Sequence, residues 1–376
     1  MGTPLKDSFG PDVAVRISEA IAAVHPGFPT DAFLGDALEG FHYLELTPRA
    51  RQIARALRTH LPADYESAVA ILVASLGPPI EGDELSGMDA FVYLPHVYFI
   101  AENGVNHWEA SMGAQYELTK RFTAEFSIRS FLEREPARTL ARLRLWATDP
   151  NPHVRRLVSE GTRPRLPWAP RLRSFQRDPA PVIALLELLK DDPSLYVRRS
   201  VANNLNDIGK DHPALLVDTC KRWMEGSDDR RRWVVRHALR SAVKRGDAPA
   251  LGLLGFPADP IVEIAEVVIT PQPANIGDTV RVEFAVRNAG PAAARVNVDL
   301  RVHFLKARGL TSPKVFKVAE VTIEPGAQAT LAKRISLRQH TTRTHFPGEH
   351  RVEAVISGST YPLGAFSIQG HPQDTG

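Results

Sequence analysis

Asp149-Pro150-Asn151-Pro152-His153-Val154-Arg155-Arg156-Leu157-Val158-Ser159-Glu160 is answered further along by Asp192-Pro193-Ser194-Leu195-Tyr196-Val197-Arg198-Arg199-Ser200-Val201-Ala202-Asn203-Asn204. Each pass opens on an Asp-Pro turn that suits a helix start, where proline is tolerated in the first turn. The Val-Arg-Arg run that follows predicts a helix with its valines, four apart, on one face and its arginines elsewhere. Val235-Arg236-His237-Ala238-Leu239 is a looser third copy. Val154 to Val197 is 43 residues and Val197 to Val235 is 38, bracketing the ~40-residue period of HEAT and armadillo helix pairs. One such pair cannot bury its apolar face, so neighbours must stack into a solenoid. Equivalent helices would then line its concave side with Arg155, Arg156, Arg198, Arg199 and Arg236, and between them fall Glu160 and Asp207. A plain scaffold has no need of that mixture.

The chain of 376 residues, 43% hydrophobic and 24% charged, has the balance of a soluble globular protein and room for two domains. The formal net charge of +3 is mild, but arginine outnumbers lysine, and the planar guanidinium fork suits phosphate. Genomic base composition explains the same bias equally well. Cys220, the single cysteine, cannot form an internal disulfide and reads as a small buried hydrophobe in a reducing compartment. No run of about 18 apolar residues exists to span a membrane. Met1-Gly2-Thr3-Pro4-Leu5-Lys6 carries neither a signal-peptide core nor a myristoylation pattern, so a cytoplasmic location is expected.

Upstream of the repeats the pattern is helix after helix: Val13 to Val24, Phe33 to Phe41, Arg51 to Leu61 and Tyr65 to Leu76. Ile80 to Met88 reads as a surface loop. An aromatic stretch from Phe91 to Phe131 reads mainly as packing between helices. Glu125 stands out in it, either beside the apolar stripe of Phe122, Phe126 and Phe131 or on a solvated flank. The tract Arg163-Pro164-Arg165-Leu166-Pro167-Trp168-Ala169-Pro170-Arg171 cannot be a regular helix and is held extended by its prolines. It is either a nucleic-acid edge, with indole stacking and guanidinium groups on phosphates, or a loop whose Trp168 plugs the core. Asn203 to Asp207 places more amide and acid groups beside a Val-Arg-Arg helix than a turn requires, and Gly209 marks a helix stop.

At Phe256-Pro257-Ala258-Asp259-Pro260 the helical period gives way to alternation: Val262/Ile264, Val267/Ile269, Val280 to Val286, Val296 to Phe304, Val315 to Ile323, Thr330 to Leu337, Val352 to Ile356 and Tyr361 to Ile368. About seven strands with Gly, Pro and Asn turns predict an antiparallel immunoglobulin-like sandwich. The fold class is therefore multidomain: an all-α HEAT-like solenoid over 1–256, a linker at 257–260, an all-β immunoglobulin-like sandwich over 261–369 and a disordered tail from 370. The sandwich connections at 306–314 and 339–348, the latter with Arg343, are basic or His-rich and suit phosphate contact, although exposed loops often carry charge for solubility alone.

Several chemistries find no motif here. The sequence has no Gly-x-x-x-x-Gly-Lys-Ser/Thr loop, no Gly-x-Ser-x-Gly elbow, no His-Glu-x-x-His and no Cys/His cluster for zinc. What remains is Glu125, Glu160 and Asp207 among arginines. Carboxylates beside a groove that attracts a polyanion need a positive target, such as a cationic alkylated base or a sugar becoming oxocarbenium-like.

Tyr116 to Phe126, Pro152 to Trp168 and Ser200 to Asp207 resemble AlkC-type DNA alkylation repair glycosylases, relatives of the AlkD type, across roughly residues 4–256; the sandwich resembles the extension some of them carry. The resemblance implies a monomer that grips duplex DNA containing cationic alkylated bases and hydrolyses the N-glycosidic bond of N3-methylated bases such as 3-methyladenine and 3-methylcytosine. It implies neither metal nor organic cofactor, and no drawing of the base into a pocket. It assigns Asp207 to the sugar cation or its water, Glu125 and Glu160 to the surroundings of the lesion nucleotide, and Trp168 to the backbone or lesion. Arg155, Arg156, Arg163, Arg165, Arg198, Arg199, Arg236 and Arg343 are the expected DNA contacts. A non-catalytic HEAT-repeat scaffold, or a protein that binds DNA damage without cleaving it, is the alternative.

Overall fold

The computed structural model describes residues 5–82, 87–257, 259–307, 309–339 and 344–369. Fifteen α-helices precede eight strands among them. The helices are α1 (Asp12–Val24), α2 (Thr30–Leu38), α3 (Leu46–His60), α4 (Tyr65–Ala74), α5 (Leu94–Asn103), α6 (Trp108–Thr119), α7 (Ile128–Arg134) and α8 (Pro136–Trp146). They continue as α9 (Pro152–Gly161), α10 (Arg173–Arg177), α11 (Ala180–Leu189), α12 (Leu195–Ile208), α13 (Pro213–Met224), α14 (Asp229–Arg245) and α15 (Ala248–Leu253). The described backbone divides into two compact units, one of residues 5–216 and 222–238, the other of 217–221 and 239–369. The end of α14 and all of α15 thus pack with the strands, upstream of the composition break at 256–260.

The two quoted passes are α9 and α12. Val154, Val158, Val197 and Val201 are fully buried, as the four-residue spacing requires. A polar seam runs between the two helices: Ser159 Oγ donates to Ser200 Oγ (2.7 Å), and Asn204 Nδ2 donates to the Ser159 carbonyl (2.7 Å). These bonds fix the register of one repeat on the next, because slipping either helix would leave buried polar groups unpaired.

The sandwich unit has β1 (Val262–Thr270), β2 (Ala274–Asn275), β3 (Thr279–Asn288), β4 (Ala294–Leu305), β5 (Thr311–Ile323), β6 (Gln328–Ser336), β7 (Gly348–Ile356) and β8 (Ser359–Gln369). They form a three-stranded sheet, β1-β3-β6, and a five-stranded sheet, β2-β8-β7-β4-β5. Val280, Val282, Phe284 and Val286 of β3 share one core with Val296, Val298, Leu300 and Val302 of β4. One departure is β2, a two-residue strand that runs parallel to β8 and is too short to show alternation. Another is that the Val262/Ile264 and Val267/Ile269 segments are a single strand. Its alternation changes phase at a bulge between Ala265 and Val268, where Glu266 takes a φ of 54°. Arg343 and the tail from 370 lie outside the described residues.

A candidate acid and arginine site

Glu125 follows α6 by a short turn and precedes α7. Its approach to α9 depends on Gly161: a Cβ there would lie 2.5 Å from Ile128 Cγ2 and 3.9 Å from the Glu125 Cα. With the two backbones that close, the three expected carboxylates fall into one ion-pair chain. Arg156 Nη1 donates to Glu125 Oε2 at 2.8 Å, while its Nη2 stands 3.7 Å from Glu160 Oε1. Arg163 Nη1 binds Glu160 Oε1 at 2.6 Å, and Arg163 Nε binds Asp207 Oδ2 at 2.8 Å. Lys210 Nζ closes the chain on Asp207 Oδ1 at 2.7 Å. Three acids and three bases alternate from Glu125 to Lys210.

The members differ in what their oxygens still offer. Glu160 is buried, and its Oε2 accepts from Ser200 Oγ at 2.6 Å. Burial alone would raise its carboxyl, but Arg156, Arg163 and the Ser200 hydroxyl hold it below the ordinary value of 4.5. Burial would likewise push the Arg156 guanidinium down, yet Glu125 and Glu160 drive it up. The ring of Tyr196 lies 5.0 Å from that guanidinium. Its hydroxyl is pushed up to about 12, mainly by burial. Glu125 is half-buried, and both its contacts, Arg156 Nη1 and the Thr123 hydroxyl at 2.8 Å, fall on Oε2. Oε1 therefore has no protein partner among the described residues.

Asp207, expected among the arginines of the concave side, is instead enclosed. It is 1% exposed, and each oxygen already holds a cation. Its position in the last turn of α12 places Lys210, three residues on, against it. The arginines are corrected too. Arg155 forks onto Asp192 with Nε and Nη2 (2.6 and 3.0 Å) and donates from Nη1 to the carbonyls of Asp149 and Pro150. Arg198 repeats that contact one repeat later, on the carbonyls of Asp192 and Pro193. Both are struts of the Asp-Pro turns, with their hydrogen-bonding edges turned into the protein rather than toward phosphate. Arg156 and Arg163 are consumed by the acid chain, and Arg165 forks onto Asp211. Arg199 and Arg236 are exposed.

Trp168 stands out of the 162–172 loop at 65% exposure with a φ of 64°, so it does not plug the core. Left-handed backbone at a bulky residue is strained and persists only where its surroundings impose it. Here Leu166 and Leu172 are buried beneath the loop. Arg129, which sequence reasoning passed over, fixes it from below. Its Nη1 donates to the carbonyls of Gly161 (3.2 Å) and Arg163 (2.8 Å), and its Nη2 to that of Pro170. Arg129 is 4% exposed, and burial brings its guanidinium down to about 10. A cavity of about 150 Å³ lies beneath the loop, walled by Trp168, Phe126, Tyr98 and Arg129. The one signal in sequence was an arginine set among Ile128, Phe131 and Leu132.

Helical repeats that hold a chain of alternating acids and bases beside an exposed tryptophan loop, in a chain that also carries an immunoglobulin-like sandwich, define a two-unit repeat protein with a preassembled polar site. A family model described as the C-terminal Ig-like domain of the uncharacterised protein YhaZ matches residues 263–370. The uncharacterised protein YhaZ of Bacillus subtilis is 34% identical over 355 residues, covering 94% of this chain and 96% of its own. The alkylpurine DNA glycosylase AlkC of Pseudomonas fluorescens, solved bound to DNA containing an abasic site analogue, has 35% identity and a TM-score of 0.89, covering 98% of this chain and 100% of that one. The chain belongs to the AlkC-type family, with YhaZ among its relatives. No helix among the described residues is long and apolar enough to cross a membrane.

Proposed function

We propose that this protein is a DNA glycosylase that releases cationic N3-alkylated bases, such as 3-methyladenine and 3-methylcytosine, from duplex DNA. The observation that carries the reading is the alternating chain from Glu125 to Lys210, beside the loop that presents Trp168. The likeness to a DNA-bound alkylpurine glycosylase along nearly the whole chain supports it.

An N3-methylated base carries a positive charge while still attached to deoxyribose. When its C1′–N bond breaks, the bonding pair stays with the base, which leaves neutral, and the positive charge passes to the sugar. No strong general acid is needed; the enzyme must stabilise a cation and supply water. Glu125 Oε1 is the carboxylate oxygen still open for this. It can accept a hydrogen bond from the water that adds to C1′ and take its proton. Glu160, enclosed by Arg156, Arg163 and Ser200, holds the arginines in place. Trp168 offers an indole face to base or sugar. The 150 Å³ cavity under it is smaller than the ~300 Å³ at which pockets that enclose a ligand begin, which supports chemistry without a deep base pocket.

The test is chromatography of bases released from methylated duplex DNA by the purified full-length protein. Release of methylated base is expected, and Glu125→Gln should abolish most of it while duplex binding persists. No release by the wild type would refute the glycosylase reading. The occupied oxygens of Asp207 favour a second reading, a protein that binds damaged duplex without cleaving it, and the same assay separates the two.

A further inference from the structure

The geometry points to Lys210 as an internal stand-in for the sugar cation, one that duplex DNA removes. The inference rests on the proposed action on DNA and concerns how Asp207 enters it. Asp207 holds two cations of unequal permanence. Arg163 has an 11% exposed side chain, binds Glu160 as well as Asp207, and has its own carbonyl gripped by Arg129. Lys210 has a 40% exposed side chain, lies just beyond the end of α12 and, among the described residues, pairs through its ammonium with Asp207 alone. A long flexible stem ending in a strongly hydrated point charge exchanges partners at little cost, whereas a guanidinium held by two carboxylates does not.

A phosphate group brought alongside gives Lys210 a competing anion. If the ammonium swings to it, Asp207 Oδ1 is bared and Arg163 stays where it is. The charge of the chain changes with that move. With Lys210 in place, Glu125, Glu160 and Asp207 are matched by Arg156, Arg163 and Lys210; without it, one negative charge is in excess. That excess appears only on bound DNA and lies in a site sheltered from water, where it favours a positive sugar more than it would in solvent. Lys210 is thus a positioning residue that keeps a buried carboxylate neutralised until polyanion arrives. Its neighbour is tied down: Asp211 is held by Arg165 and Gln176, so the swing needs no movement of backbone.

The experiment measures duplex binding against salt for four full-length proteins: wild type, Lys210→Gln, Asp207→Asn and the double variant. A lysine that transfers to phosphate adds about 0.9 to the slope of log K against log salt, so Lys210→Gln should lower the slope by about that much. Asp207→Asn releases the lysine in advance and should tighten binding by about two- to fivefold, the range of a partly exposed ion pair. That gain should disappear when Lys210 is already glutamine. An unchanged slope in Lys210→Gln, or an equal gain from Asp207→Asn in both backgrounds, overturns the inference while leaving the glycosylase reading intact. A wild type that binds duplex without salt dependence overturns this inference alone, whereas one that releases no base overturns that reading and this one with it. Should Asp207→Asn fold poorly, the slope for Lys210→Gln decides alone, because that side chain is substantially exposed.

Discussion

Replacing Glu160 by glutamine removes one charge from the centre of the site and almost no volume. Glutamine keeps a carbonyl for either Arg163 or Ser200 but not both: turned to Arg163, its amide meets the Ser200 hydroxyl; turned to Ser200, it presents donors to the Arg163 donors. One charge-assisted hydrogen bond is weakened, about 1.5–3 kcal/mol, and the longer attraction to Arg156 is lost. Each arginine keeps a second carboxylate, Glu125 for Arg156 and Asp207 for Arg163, so the cost should fall below the roughly 3–5 kcal/mol of stranding a buried charge. We expect a loss of about 2–3 kcal/mol at pH 7. The five tryptophans, Trp108, Trp146, Trp168, Trp223 and Trp233, all belong to the helical unit, so urea unfolding followed by tryptophan fluorescence reads that unit alone. The pH dependence has a definite sign. The folded-state carboxyl of Glu160 lies below its ordinary value of 4.5, so the folded protein binds fewer protons than the unfolded chain. The stability it contributes is fully present above pH 4.5 and is lost as pH falls through the folded value. The gap between wild type and Glu160→Gln should therefore narrow on acidification. A loss under about 0.5 kcal/mol at pH 7, or a gap that stays constant down to acid pH, would refute the network as the site's organising feature.

Trp168→Ala should leave stability within about 0.5 kcal/mol, since the side chain is 65% exposed. It should nonetheless weaken duplex binding by the ~1–3 kcal/mol of a stacking contact, measurable by fluorescence anisotropy. Arg155→Ala should do the reverse: Asp192, 6% exposed, loses its forked partner, so the urea midpoint should drop by the equivalent of about 3 kcal/mol, with the salt slope of DNA binding unchanged.

The repeat architecture was legible because valines four apart and the near-40-residue spacing report burial, and burial is what helices in a stack share. The sandwich was legible for the same reason with a period of two, except that Val262/Ile264 and Val267/Ile269 read as two segments, because the bulge between Ala265 and Val268 interrupts the alternation of one strand. Arginine direction was not legible. Arg155 and Arg156 are adjacent, yet one reaches Asp192, 37 residues on, and the other Glu125, 31 residues back. Which acid each meets depends on how three helices stack, and no local pattern contains that.

Part of the site could nevertheless have been built from spacing. Arg156, Glu160 and Arg163 are four and three apart, the offsets that bring side chains together on a helix, and they do form the middle of the chain. Reading all the arginines as phosphate ligands overlooked that an acid buried between repeats must be paired, or its desolvation would be prohibitive. Glu125, Glu160 and Asp207 require cations wherever they are buried, and Arg156 of a Val-Arg-Arg run, with Arg163 and Lys210 just past the helix ends, supplies them. The basic residues of these helices and their flanks therefore divide in two. Some neutralise the acids and give the site its shape, and those left nearer the surface, among them Arg199, Arg236 and the exchangeable Lys210, are the ones in reach of the proposed DNA partner.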